Sequence, residues 1–351
     1  MSTTATTESL PVKSVGSKGS KSVEGGVVHY VRPGDVPVTS PHLVHLPHIS
    51  EFRDPCRIEL HDLRPIRSIE EYPRNEVKLG ELAVRGFLGV HCPSALNAAP
   101  YFGAHWRDQK LIDRVYVPEA VDMIKKVTGA KQAFVEMVVL RAAAREEVTN
   151  PEPYGAPEGD LPYYDGFQPN CKGVSPEPRV HVDLAPAGAR NHIRHVHPKM
   201  SDAVAPIIAA EDRLKALGLS VQENYHAPGS KNPRWAVYSL WRPVKRVPRD
   251  PLAVADSTTL IPTDYVPANV NMGTYDQHCY TATFSPRHKW YWLPEQEPDE
   301  VLIITLFDSL MDKQQPIPGG GALHTSVDLE GTENVTEKRQ STELRVLVIW
   351  D

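Results

Sequence analysis

Long hydrophobic runs are absent from this chain. No stretch of its 351 residues approaches the ~20 apolar positions that a membrane helix needs, which excludes a helical membrane protein. Cysteine is scarce. The four residues Cys56, Cys92, Cys171 and Cys279 lie far apart and form no C-x-x-C pair. That spacing excludes a zinc ribbon and a dense disulfide framework, and makes a reducing compartment the default. Basic blocks are missing too. With a net charge of −6 and no run of Lys and Arg, nothing is available to neutralise a phosphate backbone, so nucleic acid is not an expected partner. The first residues are Ser, Thr, Lys and Gly without an apolar core. Residues 1–26 therefore read as a disordered N-terminal tail, not a secretory signal. The expectation is a cytoplasmic protein with no membrane partner; homo-oligomerisation is left open.

What is present is a large apolar fraction, 40%, and 33 prolines. The first supports a real core over residues 27–351, read as a single domain. The second favours short strands, long loops and few long helices. Strands are expected near residues 27–32, 57–63, 133–140 and 179–184, and repeatedly through the second half. Helices are expected at 118–127, with Pro118 at its first position and Gly129 as its stop, and at 201–217, with Ser201 as N-cap. The Pro/Tyr-rich stretch 150–178 reads as an ordered loop or lid, or equally as a plain linker. This pattern predicts a mainly β protein with flanking helices, built on a double-stranded β-helix (jelly-roll, cupin-like) core.

Chemistry concentrates in three places. His181-Val-Asp183 is an H-x-D pair on an expected strand, where side chains at i and i+2 share a face. With 15 histidines in the chain, about one such pair arises by chance, so the pair alone is weak. A distant His324 would complete a two-His-one-carboxylate facial triad, the arrangement of non-haem Fe(II) oxygenases. Arg339-Gln-Ser341 follows, offering a fork and a hydroxyl for the far carboxylate of a 2-oxo acid. Arg345 shares the strand face with Arg339 and competes for that role. His288 is the main rival to His324 as second imidazole. His192, His195 and His197 form a further polar cluster that is more simply read as loop histidines.

Several longer stretches carry a resemblance. They include Tyr116-Val-Pro-Glu119, Val127-Thr-Gly-Ala130 with a strand ending in Arg141, and Arg179-Val-His-Val-Asp183. Then come Arg234-Trp235 with Trp241-Arg242-Pro243, Asp250-Pro-Leu-Ala253 with Asp256, and Ser285-Pro-Arg-His288-Lys-Trp290-Tyr291. Pro298-Asp-Glu300, Phe307-Asp308-Ser309, His324-Thr325 and the ending Arg339-x-Ser341-x-Glu343-x-Arg345 complete the set. Together they resemble the fungal AsaB-type hydroxylase/desaturases, related to the CmcJ subunit of cephalosporin methoxylation. Two positions depart from the pattern: Ser239 stands where the family often has Asn, and no aromatic follows His324 closely.

The resemblance implies an Fe(II)- and 2-oxoglutarate-dependent oxygenase that uses O2 on a small molecule of fungal secondary metabolism. Hydroxylation, desaturation or oxidative ring closure are the outcomes it allows. A related activity, the TqaL type, closes valine into an aziridine amino acid. His181, Asp183 and His324 would then hold iron, and Arg339, Ser341 or Arg345 the co-substrate. Trp241, Arg242 and Tyr164 are the substrate-facing candidates: Arg242 as a carboxylate clamp, and Tyr164 in a lid with Tyr154, Tyr163 and Phe167. Two other classes stay open, a non-oxidative metal-dependent cupin enzyme and a partner subunit of a modifying complex.

Overall fold

The computed structural model describes residues 24–41, 46–72, 80–103, 105–143, 145, 175–195, 198–313 and 319–350. Most of the expected tail at 1–26, most of the stretch at 150–178, and Tyr164, Cys171 and His197 lie outside the described residues.

The strands, in chain order, are β1 (Gly25–Tyr30), β2 (Asp54–Asp62), β3 (Arg67–Ser68), β4 (Phe87–His91), β5 (Gln132–Arg141), β6 (His181–Val182), β7 (Trp235–Pro243), β8 (Leu252–Ala255), β9 (Tyr265–Asn271), β10 (Asp276–Ala282), β11 (Trp290–Trp292), β12 (Glu300–Asp308), β13 (His324–Ser326), β14 (Asp328–Leu329) and β15 (Ser341–Ile349). The helices are α1 (Gly80–Arg85), α2 (Gln109–Leu111), α3 (Val117–Thr128), α4 (Pro186–His192), α5 (Pro198–Ala216) and α6 (Val221–Asn224). The expected mainly β fold is therefore found. The expected helix at 118–127 is α3, closed by Gly129 in the left-handed region at φ 71°. The second expected helix starts one turn earlier than Ser201. Helix α5 begins at Pro198, a residue type favoured in a first turn because no backbone N–H is needed there.

Two sheets carry the molecule. One has nine strands in the order β14-β1-β2-β11-β8-β13-β6-β10-β9; the other has six, β3-β4-β12-β7-β15-β5. They face each other across a shared core. Val237 and Trp241 of β7, Ile304 and Leu306 of β12 and Leu347 of β15 meet Leu252 and Val254 of β8 there. The opposite face of the six-stranded sheet is covered by α3. Ala120, Met123, Ile124 and Val127 pack on Tyr238, Leu240, Ile303 and Leu344. Each Met, Ile, Val or Leu among them, taken fully out of water, contributes about 1.5–3 kcal/mol. Coverage on both faces explains why β7 and β12 are buried at every position, whereas β2, covered on one side, alternates. This is the jelly-roll arrangement, with the two sheets curled around the cavity described below. Among the described residues no helix is long and apolar enough to cross a membrane.

Backbone approach is closest where α4 crosses β10. A Cβ placed on Gly188 would lie 1.9 Å from the carbonyl oxygen of His278. Helix α4 follows directly on Asp183, so this contact fixes how the chain leaves the candidate site. Gly188→Ala should destabilise the protein by at least about 2 kcal/mol, as overpacking against rigid backbone does. The check is urea unfolding, with a lowered midpoint and an unchanged slope.

Candidate metal and co-substrate site

The two histidines meet because of strand register. β13 pairs with β6 so that His324 stands directly opposite His181. Opposed residues on adjacent strands hold their Cβ atoms about 5 Å apart on one face. The imidazole centroids are 4.3 Å apart. Asp183, two residues beyond His181, projects to that face as well, while Val180 and Val182 pack into a different core cluster behind the sheet. The Asp183 Oδ1 atom lies 3.3 Å from His181 Nε2 and 3.8 Å from His324 Nε2. All three ligand atoms fall within 4.8 Å of one another.

This donor set suits a divalent iron. Donors ~2.1 Å from one ion at octahedral right angles are about 3 Å apart, close to the spacing seen. Both rings are locked for the purpose. His181 Nδ1 donates to the Arg179 carbonyl at 2.7 Å, and His324 Nδ1 to the Ala322 carbonyl at 3.0 Å. Each Nε2 therefore presents a lone pair to a common point. Burial works against a charged His181, yet the hydrogen-bonded Asp183 outweighs it and the pKa moves up. His324 is pushed down by burial and by His181. Burial opposes ionisation of Asp183 too, but His181, Arg345 and His324 hold its carboxyl well below the usual range.

A small cavity, partly open to solvent, opens from the histidines. Trp241, Leu252 and Ile304 give it an apolar wall; Ser239, Thr325, Ser326, Glu177, Arg141, Glu343 and Arg339 give it a polar one. Arg339 is 2% exposed. One of its donors reaches the Asp250 carbonyl at 2.6 Å, and its Nε has no partner. Its guanidinium lies 5.3 Å from the Trp241 ring centroid. Burial and the neighbouring Arg141 pull its pKa down to about 9. A buried cation with a spare donor fits the terminal carboxylate of a dicarboxylic acid. Ser341 opens β15 with its hydroxyl buried and unpartnered.

The other expected residues part company. Arg345 does not line the cavity; its Nη2 donates to Asp183 Oδ2 at 3.0 Å. His288 is remote from the triad, bonded to Asp264 at 3.2 Å and to the Tyr30 hydroxyl at 3.1 Å. His192 bonds Glu136 at 2.6 Å, and His195 stacks on Tyr275 with centroids 4.1 Å apart.

The clamp role expected of Arg242 is corrected. Side chains alternate along β7, so Ser239 and Trp241 face the cavity and Arg242 faces away, toward α3. It is 1% exposed and donates to the Tyr116 hydroxyl at 3.1 Å, the Pro298 carbonyl at 2.7 Å and the Cys92 carbonyl at 2.7 Å. The sequence reading missed the lining roles of Glu177 and Glu343, for which the chain carries no signal beyond charge. It also missed the Arg345–Asp183 contact, which joins positions far apart in sequence. Arg242→Met should lower stability by on the order of 3 kcal/mol, since two buried acceptors and one part-buried one lose their donor. Substrate affinity in the folded fraction should stay at the wild-type value. Thermal melts and steady-state kinetics check both.

Comparison with known proteins agrees with the site. A family model described as "Oxidoreductase/YMDC permease-like domain" matches residues 65–216 and 207–349. The Oxidoreductase chry3 of Gibberella zeae is 33% identical over 93% of this chain and 98% of its own. The Gibberellin cluster GA4 desaturase of Gibberella fujikuroi is 33% identical over 76% of this chain and 81% of its own. Other relatives carry the names hydroxylase/desaturase and alpha-ketoglutarate-dependent dioxygenase. Among solved structures, the iron and alpha-ketoglutarate-dependent endoperoxidase NvfI shares the fold, with a TM-score of 0.59 at 20% identity over 92% of this chain and 97% of that one. The strand-register triad and these relatives lead to one family: the chain belongs to the hydroxylase/desaturase group of Fe(II)- and 2-oxoglutarate-dependent oxygenases.

Proposed function

We propose that His181, Asp183 and His324 hold the Fe(II) of this oxygenase, and that Arg339 with Ser341 receives the distal carboxylate of 2-oxoglutarate. The observation that carries the reading is the pairing of a locked His-Asp-His set with a buried, incompletely bonded arginine across one cavity. When bound, the iron, 2-oxoglutarate and O2 supply the oxidation that removes hydrogen from a substrate. The chain's own part is orientation and exclusion of water. The Arg179 and Ala322 carbonyls fix both imidazole tautomers. Trp241, Leu252 and Ile304 form a dry wall beside the reacting centre.

For the substrate we propose a small secondary metabolite that is hydroxylated or desaturated, in keeping with the names of the relatives. Ring closure on an aliphatic amino acid such as valine loses its support with Arg242, because no described cavity residue takes over as a spare cation for an amino-acid carboxylate. Arg141, the other cavity arginine, is engaged with Glu343 at 2.9 Å and with the Ser175 carbonyl at 2.9 Å. Cys92 and Cys279 are buried and unbridged, which fits a reducing compartment, and we place the enzyme in the cytoplasm.

Replacing His181, Asp183 or His324 by Ala should abolish turnover and iron binding while the chain stays folded. His288→Ala should keep wild-type iron content; loss of iron there with retention in His324→Ala would reverse the assignment. Arg339→Ala should raise the 2-oxoglutarate concentration needed for half-maximal rate at least about tenfold, because a charge-assisted contact is worth roughly 1.5–3 kcal/mol. Succinate release under Fe(II) and ascorbate, screened over candidate metabolites, reads all of these variants. If 2-oxoglutarate consumption is stimulated by no metabolite and is unaffected by loss of any triad residue, the proposal fails.

A further inference from the structure

Arg345 has no place in the cavity, yet it is buried, charged and aimed at the candidate metal carboxylate. Asp183 divides its oxygens. Oδ1 faces the two imidazoles at 3.3 and 3.8 Å, and Oδ2 accepts from Arg345 Nη2 at 3.0 Å. The Glu136 carboxylate lies within electrostatic reach of the guanidinium, with its Oε1 unpartnered. The pairing of β15 with β5 passes from Arg345 opposite Met137 to Val346 opposite Val135, which leaves Glu136 as the extra residue of a bulge. Bulges re-aim side chains, and this one puts a carboxylate beside Arg345. Glu136 is itself fixed by His192 Nε2 at 2.6 Å, and His192 Nδ1 is bonded to the Tyr275 hydroxyl at 3.1 Å.

We propose that Arg345, hydrogen-bonded to Asp183 and within electrostatic reach of Glu136, is a positioning residue that takes up Asp183 Oδ2 so that Oδ1 alone is offered to the metal. The inference rests on the triad reading above. Its consequence is a matter of vacancies. Three protein donors leave three positions on an octahedral ion, and a 2-oxo acid together with O2 needs all three. An Asp183 free to turn and chelate with both oxygens would consume one of them. A guanidinium is suited to prevent that, since its planar fork fixes the direction of the carboxylate where a lysine would only supply charge. It also separates the roles of the two arginines of β15 and its approach: Arg339 serves the co-substrate, Arg345 the ligand.

The test reads coordination directly, because removing a cation near a metal site also removes a repulsion and blurs affinity. Co(II) is titrated without oxygen and without 2-oxoglutarate into wild type, Arg345→Met, Glu136→Gln and His181→Ala, following the visible absorption of the ion. Arg345→Met should bind Co(II) with a spectrum shifted from wild type, and should then need at least about tenfold more 2-oxoglutarate to perturb it, in line with the effect of outer ligand partners. Glu136→Gln should give the same shift at smaller amplitude, and it decides the matter if Arg345→Met does not fold. A wild-type spectrum in either folded variant before 2-oxoglutarate is added overturns the proposal and leaves the triad standing. It would return Arg345 to a co-substrate role if only the 2-oxoglutarate step were weakened. Failure of wild type to bind Co(II), or equal binding by His181→Ala, overturns the triad reading itself.

Discussion

The site depends on one register. β13 must pair with β6 so that His324 lies across from His181. A slip of one residue would turn His324 to the other face of the sheet and leave Asp183 with a single imidazole. The surroundings guard that pairing. β8 holds β13 on its other side through His324 opposite Val254 and Thr325 opposite Ala253. The approach to β13 runs through Gly319 and Gly320, at φ 84° and 69°, conformations that side-chain-bearing residues rarely adopt. Gly321 brings the backbone so close to Val182 that an added Cβ would lie 2.5 Å from that side chain. A glycine run thus delivers the second histidine tightly against the strand that carries the first.

Electrostatics then divides the site into two halves. Around Asp183 opposite charges meet, two imidazoles and Arg345. Around Arg339 like charges gather. Arg141 and Arg145 stand close enough to destabilise its charge, and burial does more. Arg145 is committed to Asp250 at 2.6 Å and Arg141 to Glu343, so of these three arginines it is Arg339 that keeps an unspent donor facing the cavity. A cavity built in this way attracts an anion at one end and a cation at the other, which is the charge pattern of a carboxylate-bearing co-substrate bridging to a metal.

Much of this was legible in the chain because it is written in periodicity. The H-x-D spacing places both side chains on one strand face whatever the rest of the fold, and α3 announces itself by Pro118, its apolar stripe and Gly129. The same rule, applied one residue further on β7, should have warned that Trp241 and Arg242 cannot both face the cavity. Arg242 resembled a clamp because composition gives an arginine beside a tryptophan no direction. The strand around His181 was expected to run through Leu184 and is only His181–Val182, since its neighbours are set by tertiary pairing and not by propensity. The roles of Arg339 and Arg345 were not separable from sequence. Their spacing puts them on one face of an expected strand, but β15 begins only at Ser341, so Arg339 lies on its approach and Arg345 within it, beside Asp183. The placing of Glu136 near Arg345 needs a bulge, and no residue in Phe-Val-Glu-Met-Val marks one.

The most direct test of the account is a crystal structure of the protein prepared without oxygen in the presence of Fe(II) and 2-oxoglutarate. The account predicts one iron bound by His181 Nε2, His324 Nε2 and a single oxygen of Asp183, with the far carboxylate of 2-oxoglutarate on Arg339. Iron ligated elsewhere, or the co-substrate carboxylate seated on Arg345 with Asp183 released, would contradict it.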